Sequence, residues 1–348
     1  MSKIFIHKTR GSIVECMHRG DAVVTSPGGK ILALSGDAYK YTYFRSSAKP
    51  MQALNVILSG AAERFGLSDE ELAVICSSHY AEDCHLQAVR SILAKCGLTV
   101  ADLQSGVARS IRPEIAFAQA EAGIQPMRLL SDCSGKHSGM LATCIARGYP
   151  IQGYLNPSHP VQQEILRIIA DICLYPIEKI GIGVDGCNVA VFALPIYNMA
   201  VGFARLANPD YLPQAYKSPA IQIFRSMTTH PKMVSGTGGF CTALMHATKG
   251  RMIGKIGAQG VYCIGIREPE LGIALKIEDG APGTASLAAM HILRELDLLS
   301  DDEYQELEQY HHPAILNDDG LIVGEARAVF GLQINSASGE RGDGVVKC

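Results

Sequence analysis

Short β-rich runs open the chain. Ile4-Phe5-Ile6, Ile13-Val14, Ala22-Val23-Val24 and Ile31-Leu32-Ala33-Leu34 carry the β-branched and aromatic residues that favour strands. Ser26-Pro27-Gly28-Gly29, between the last two, is turn chemistry and predicts a hairpin. From residue 46 the periodicity turns helical. Ser68-Asp69-Glu70-Glu71 is a capping box that opens a helix running toward Cys76. Helical spacing returns over 82–93 and 137–145, and Ser158-His159-Pro160 supplies a serine cap and an early proline for a helix over 161–173. Beyond the glycine-rich Ser235-Gly236-Thr237-Gly238-Gly239, strands are expected at 251–256, 261–266 and 272–277. Helices follow at 285–296 and 302–310, with late strands at 321–323 and 328–334.

Strands first, helices in the middle, then strands and helices again is a segregated order, unlike the alternation of a Rossmann or barrel fold. The expected class is α+β: a mixed sandwich whose sheet comes from both chain ends (about 1–45 and 248–340), with a helical region inserted over about 46–230. No internal repeat or low-complexity linker divides the chain, so 1–348 reads as one domain.

Apolar residues make up 47% of the 348 positions and charged ones 19%, which suits a globular chain with a sizeable core. The net charge of −3 argues against electrostatic nucleic-acid binding, which needs a basic excess. The longest apolar region, 189–204, is broken by Pro195 and Asn198, so it reads as a buried strand and helix and not as a membrane span. Residues 1–8 lack the apolar core of a signal peptide. Eleven cysteines without regular spacing read as reduced thiols. A cytoplasmic location is expected, with no nucleic-acid or membrane partner.

Candidate chemistry begins at Arg45-Ser46-Ser47-Ala48-Lys49-Pro50. A serine three residues before a lysine shares its helix face, and an unprotonated lysine can take the serine's proton. A free lysine, with a pKa of about 10.4, must lose roughly 3 units (~4 kcal/mol) to do so at neutral pH. Burial or a second cation, such as Lys255 beside Lys49, supplies that shift. Ser78 is the candidate proton relay. Taken alone the spacing is weak, because a solvated pair on an exposed helix has the same pattern.

Three further constellations stand out. In Ser77-Ser78-His79-Tyr80-Ala81-Glu82-Asp83-Cys84-His85, the residues His79, Glu82 and His85 share helical spacing, yet no strict metal pattern appears and local packing is the favoured reading. Cys133-Ser134-Gly135-Lys136-His137 and Asp185-Gly186-Cys187-Asn188 offer two thiols and an amine, which fit either a zinc site or inert buried cysteines. Gly236-Thr237-Gly238-Gly239 is an anion cradle or a plain loop, and it lacks the ending of a nucleotide-binding loop.

Together these motifs resemble the rhizobial-type L-asparaginase family, related in site chemistry to serine β-lactamases and glutaminases. The two serine motifs, the Cys133 and Asp185 motifs and Gly254-Lys255-Ile256-Gly257 fall in family order and spacing. The likeness runs on to His311-His312-Pro313 and Asn317, so it covers nearly the whole chain. It implies a β-lactamase-like α+β fold, a homodimer, and hydrolysis of the side-chain amide of L-asparagine. By resemblance Ser46 is the nucleophile and Lys49 its base, with Ser78 and Lys255 as a second pair. Arg45, His137 and Asp185 match positions lining the substrate pocket, where Arg45 suits a carboxylate and Asp185 an ammonium. Cys133, Lys136 and Cys187 match zinc ligands, the zinc being unnecessary for the nucleophilic step, and no organic cofactor is implied. Ser105-Gly106-Val107-Ala108-Arg109-Ser110 departs from the family, many of whose members carry a cysteine and a histidine in that stretch. The competing functions are a glutaminase or another serine–lysine amidohydrolase, and a zinc- and amino-acid-binding sensor without turnover.

Overall fold

The computed structural model describes residues 1–335. Its main sheet is assembled from the two chain ends, as the order of elements predicts. The first part supplies β1 (Lys3–Arg10), β2 (Ile13–Thr25) and β3 (Ile31–Ser35). β4 (Tyr41–Tyr43), β5 (Gly181–Val184) and β6 (Ala190–Pro195) form a small separate sheet in the order β4-β6-β5. The last part supplies β7 (Met252–Gly257), β8 (Val261–Ile266), β9 (Leu271–Ile277), β10 (Ala314–Leu316), β11 (Ile322–Ala328) and β12 (Gln333–Ile334). The main order is β10-β11-β1-β2-β9-β8-β7, with β3 on β2 and β12 on β3. Every pair is antiparallel, and the two chain ends are joined where Gly20–Thr25 of β2 meets Gly272–Ile277 of β9.

β8 is buried at all of its positions, so both faces of the sheet are covered there, and its unbroken apolar sequence follows from that. The helix Ile196–Ala207 packs on β2, β8 and β9, while Thr284–Glu295 packs on β8, β9 and β11. Within the helical region, Lys49–Leu58 is central and touches Ser134–Arg147, Pro160–Ile172 and Gln214–Thr229. Among the described residues no helix is long and apolar enough to cross a membrane.

Several local expectations hold. The hairpin between β2 and β3 closes through a Gly29 N–H to Ser26 carbonyl bond of 3.0 Å. The capping box at Ser68 is complete, with Glu71 N–H donating to Ser68 Oγ and Ser68 N–H to the Glu71 carboxylate. Others need correction. Ile13-Val14 and Ala22-Val23-Val24 belong to one long strand, which pairs with β1 over 13–20, mostly exposed, and is buried where it meets β9 over 20–25. The helix Pro160–Ile172 is capped by His159, whose Nδ1 accepts from Val161 N–H at 3.2 Å, while Ser158 bonds back to Asn156. The small sheet went unread because β4 is three residues long and β5 alternates with glycine.

Two glycines bring the elements of the site together. A Cβ on Gly257 would stand 2.9 Å from Ser47 Oγ and 3.0 Å from the Phe44 carbonyl, so only glycine lets β7 approach the turn that carries Ser46. A Cβ on Gly135 would stand 2.1 Å from the Val74 carbonyl oxygen, so the helix Ser134–Arg147 lies directly on Asp69–Ile75.

Candidate active site

Ser46 sits in a single 3₁₀ turn, Arg45–Ala48, that runs straight into the helix Lys49–Leu58. Arg45 enters this turn with φ +52°, a left-handed conformation that costs a non-glycine residue about 1–3 kcal/mol. Its side chain holds the position, donating from Nε to Asp185 Oδ1 at 2.9 Å. Asp185 comes from the tight turn between β5 and β6, where Asn188 is also left-handed and Asp185 N–H bonds the Val189 carbonyl.

The two predicted lysines converge. Lys49 is fully buried and donates to the Ser77 carbonyl at 2.6 Å, to Ser78 Oγ at 3.1 Å and to the Asp132 carbonyl at 3.4 Å. Lys255, on β7, reaches the same Ser78 Oγ at 3.0 Å and also the Ile256 carbonyl at 2.8 Å. Ser78 therefore holds an amine on each side. No hydrogen bond joins Lys49 to Ser46 among the described residues, although Ser46 and the Ser78 that Lys49 bonds border the same cleft. A buried ammonium must place all of its donors, and the Ser77 and Asp132 carbonyls and the Ser78 hydroxyl take them.

The environment separates the two amines. Burial pushes the Lys49 ammonium down, but the neighbouring acidic groups, the Cys133 thiol and the Asp132 carboxylate, outweigh burial and hold it above its ordinary value. The Asp132 carboxylate lies 3.6 Å from Lys49 Nζ. Burial lowers Lys255 to about 8, with the Lys49 charge acting in the same direction. A relay with one charged and one readily neutralised amine across a shared hydroxyl can move a proton in either direction.

These groups open into a cleft of about 260 Å³, bordered by Arg45, Ser46, Ser78, Asp132 and Asp185, with Ile111 among its remaining walls. His137, predicted at the pocket, is not among the residues that border it. It is fully buried, with Nδ1 2.7 Å from Tyr154 Oη, and burial takes its pKa down to about 3. Asp132 escaped the sequence reading; its one signal was a carboxylate directly preceding the Cys133 motif. Ile111, in the loop before the helix Pro113–Glu121, carried no signal. A larger concavity of about 790 Å³ lies by the helices Asp83–Lys95 and Pro113–Glu121, but none of the candidate serines or lysines borders it.

Cys133, Lys136 and Cys187 also come together. Lys136 Nζ lies 3.0 Å from Cys187 Sγ, and Cys133 Sγ lies 3.7 Å from Asp132 Oδ2. The neighbouring Cys133 thiol and the charge of Lys136 lower Cys187 to about 5, while Cys133 is raised by Cys187 and by burial. Two sulfurs and one nitrogen suit zinc, and a metal here would displace the protons that Lys136 and Cys133 carry. Glu82, Cys84 and His85 also gather their donor atoms. There, however, His85 Nδ1 accepts from Glu82 N–H, its Nε2 meets the Lys232 carbonyl, and the Glu82 carboxylate takes Lys232 and Thr237. The same contacts settle the Gly236–Gly239 loop: its Thr237 N–H cradles an anion, and the anion is Glu82.

No curated protein matches this sequence. Among solved structures, a beta-lactamase from Mycobacterium bovis is similar at 14% identity and a TM-score of 0.40, over 84% of this chain and 95% of that one. A simvastatin synthase from Aspergillus terreus is similar at 12% identity and a TM-score of 0.37, over 83% of this chain and 93% of that one. Superpositions that loose have no bearing on the chemistry. The model of the L-asparaginase II family matches residues 6–328, a span that takes in both halves of the sheet and every candidate residue described above. The chain belongs to the L-asparaginase II family.

Proposed function

We propose that this protein hydrolyses the side-chain amide of L-asparagine to L-aspartate and ammonia through an acyl-enzyme on Ser46. The observation that carries the reading is the convergence of Lys49 and Lys255 on Ser78 Oγ, at 3.1 and 3.0 Å, in the cleft that Ser46 also borders. Lys49 first passes a proton through the Ser78 hydroxyl to Lys255, whose neutral form burial favours and leaves open to receive it, an uphill transfer because Lys255 is the weaker base. Ser46 Oγ then attacks the amide carbon while Lys49 takes its proton. The Ser46 N–H, a first-turn donor that a helix leaves without an internal acceptor, faces the developing oxyanion. Ser78 and Lys255 return the proton to departing ammonia, and water cleaves the ester by the same relay.

The substrate class follows from charge. A cleft with one guanidinium and two carboxylates, Arg45 with Asp132 and Asp185, complements a free amino acid carrying both an ammonium and a carboxylate. Cys133, Lys136 and Cys187 would hold a zinc ion, which supplies fixed positive charge at the cleft wall when bound. The chain's own residues carry out each step.

Ser46→Ala tests the reading. Ammonia release from asparagine should fall on the order of 10⁴-fold or more in a correctly folded variant. Full activity would rule the mechanism out, and tight asparagine binding by the wild type without ammonia release would make the protein a sensor. Glutamine as the better substrate in the same assay would assign a glutaminase. Metal analysis should find stoichiometric zinc that Cys187→Ser loses.

A further inference from the structure

A second cavity, of about 280 Å³, adjoins the candidate cleft. Ile256 borders both, one residue beyond Lys255 on β7. The two differ in charge. The cleft sets Arg45 against two carboxylates, whereas the second cavity has Arg112 and, among the described residues lining it, no carboxylate. Its body is aromatic: Tyr80, Phe240 and Tyr310 form the walls, with Phe240 and Tyr310 ring centroids 5.0 Å apart. The Arg112 guanidinium lies 5.4 Å from the Tyr80 ring centroid, and Tyr80 Oη lies 3.3 Å from Ser235 Oγ. These hydroxyls and the cation, with Ser286 and Gln309, are the polar side-chain groups set among the aromatic walls.

Arg112 is only weakly committed elsewhere. Its ion pair with Glu114, at 3.3 Å, joins side chains 41% and 75% exposed, and such pairs contribute about 0–1 kcal/mol. A ligand carboxylate held by the guanidinium and sheltered by three rings exchanges that pair for a less hydrated one. We propose that this cavity is a second small-molecule site, for a monocarboxylate with an aromatic or apolar body, lying against the strand that carries Lys255. The occupant differs from the zwitterion of the cleft, and its binding is independent of what the cleft hydrolyses.

Benzoate and its charge-reversed counterpart benzylamine are suitable probes, titrated calorimetrically into the wild-type protein without substrate. Benzoate should bind saturably in the millimolar range, benzylamine should not, and excess L-aspartate should leave benzoate in place. Arg112→Met should weaken benzoate about tenfold or more with an unchanged melting temperature. Glu114→Gln, which frees the guanidinium, should bind benzoate at least as tightly as the wild type. Absence of saturable binding, equal binding of benzylamine, unaltered affinity in Arg112→Met, or displacement by L-aspartate would each overturn the proposal. None of these outcomes bears on Ser46 or on amide turnover.

Discussion

Residues 77–85 contain two clusters that look alike as sequence and behave oppositely as structure. At the start of the segment, Ser78 Oγ sits between two buried amines delivered from the helix Lys49–Leu58 and from β7, and it faces a cleft. Farther along, His79 and His85 stack with ring centroids 5.2 Å apart, and every ring nitrogen already has a partner. His79 Nε2 meets Ser134 Oγ at 2.8 Å and its Nδ1 accepts from Ala81 N–H, while His85 is held between Glu82 and Lys232. Residue type alone cannot tell these clusters apart. The difference is whether two amines share one hydroxyl that borders a cleft or ring nitrogens are paired away from it, because only the first arrangement can meet a substrate.

The sharpest way to break this contrast is Lys255→Met. Loss of an amine that moves a proton should lower kcat by about 10²–10⁴-fold. The same change removes a buried ionisable group and substitutes a side chain of similar length, so the melting temperature should hold or rise. Lost stability without lost activity would place Lys255 with the structural half. Arg45→Lys comes next: it removes the Nε hydrogen bond to Asp185 while keeping a non-glycine residue at the strained φ. KM for asparagine should rise about 10–100-fold, with kcat changing less. A change in kcat alone would move Arg45 from substrate binding to positioning of Ser46.

A smaller effect is expected from pH. If the neutral form of Lys255 is the one that works, kcat/KM rises with pH and levels off above about 8, the value to which burial lowers that amine. Below it, each unit of pH should cost about tenfold. A profile flat from pH 6 to 9 would detach the rate from this amine.

How much of this was legible depended on the distance over which the signal acts. The α+β order, the β2–β3 hairpin and the capping box at Ser68 are local, set by period and turn chemistry, and they read directly. Ser46, Lys49, Ser78 and Lys255 were legible as residues through the order of their motifs. Their geometry was not: the spacing suggests that Lys49 meets Ser46, whereas burial sends its donors to Ser77, Ser78 and Asp132. Asp132 and Ile111 enter the cleft through tertiary packing that leaves no periodic trace. The small sheet stayed hidden for the opposite reason, since its strands are too short to establish a period.

The smallest expected effect tests the structural half of the segment. His85→Gln offers one side-chain amide where two opposed ring nitrogens serve Glu82 N–H and the Lys232 carbonyl, so one of these is left without its partner. That should destabilise the fold by about 1–3 kcal/mol, read as a fall in melting temperature of a few degrees. Burial lowers both imidazoles, His79 to about 3, so each is neutral in the folded state. The unfolded chain takes up those protons first, near pH 6.5, and stability is therefore lost as pH falls from about 6.5 toward 3. Without His85 that acid loss should become shallower in melts from pH 7 to 4, while ammonia release per folded molecule and zinc content stay as in the wild type. Should His85→Gln instead remove bound metal or abolish turnover with the melting temperature intact, the Glu82–Cys84–His85 cluster would belong to the chemistry, and the pairing of ring nitrogens away from the cleft would no longer separate the two ends of the segment.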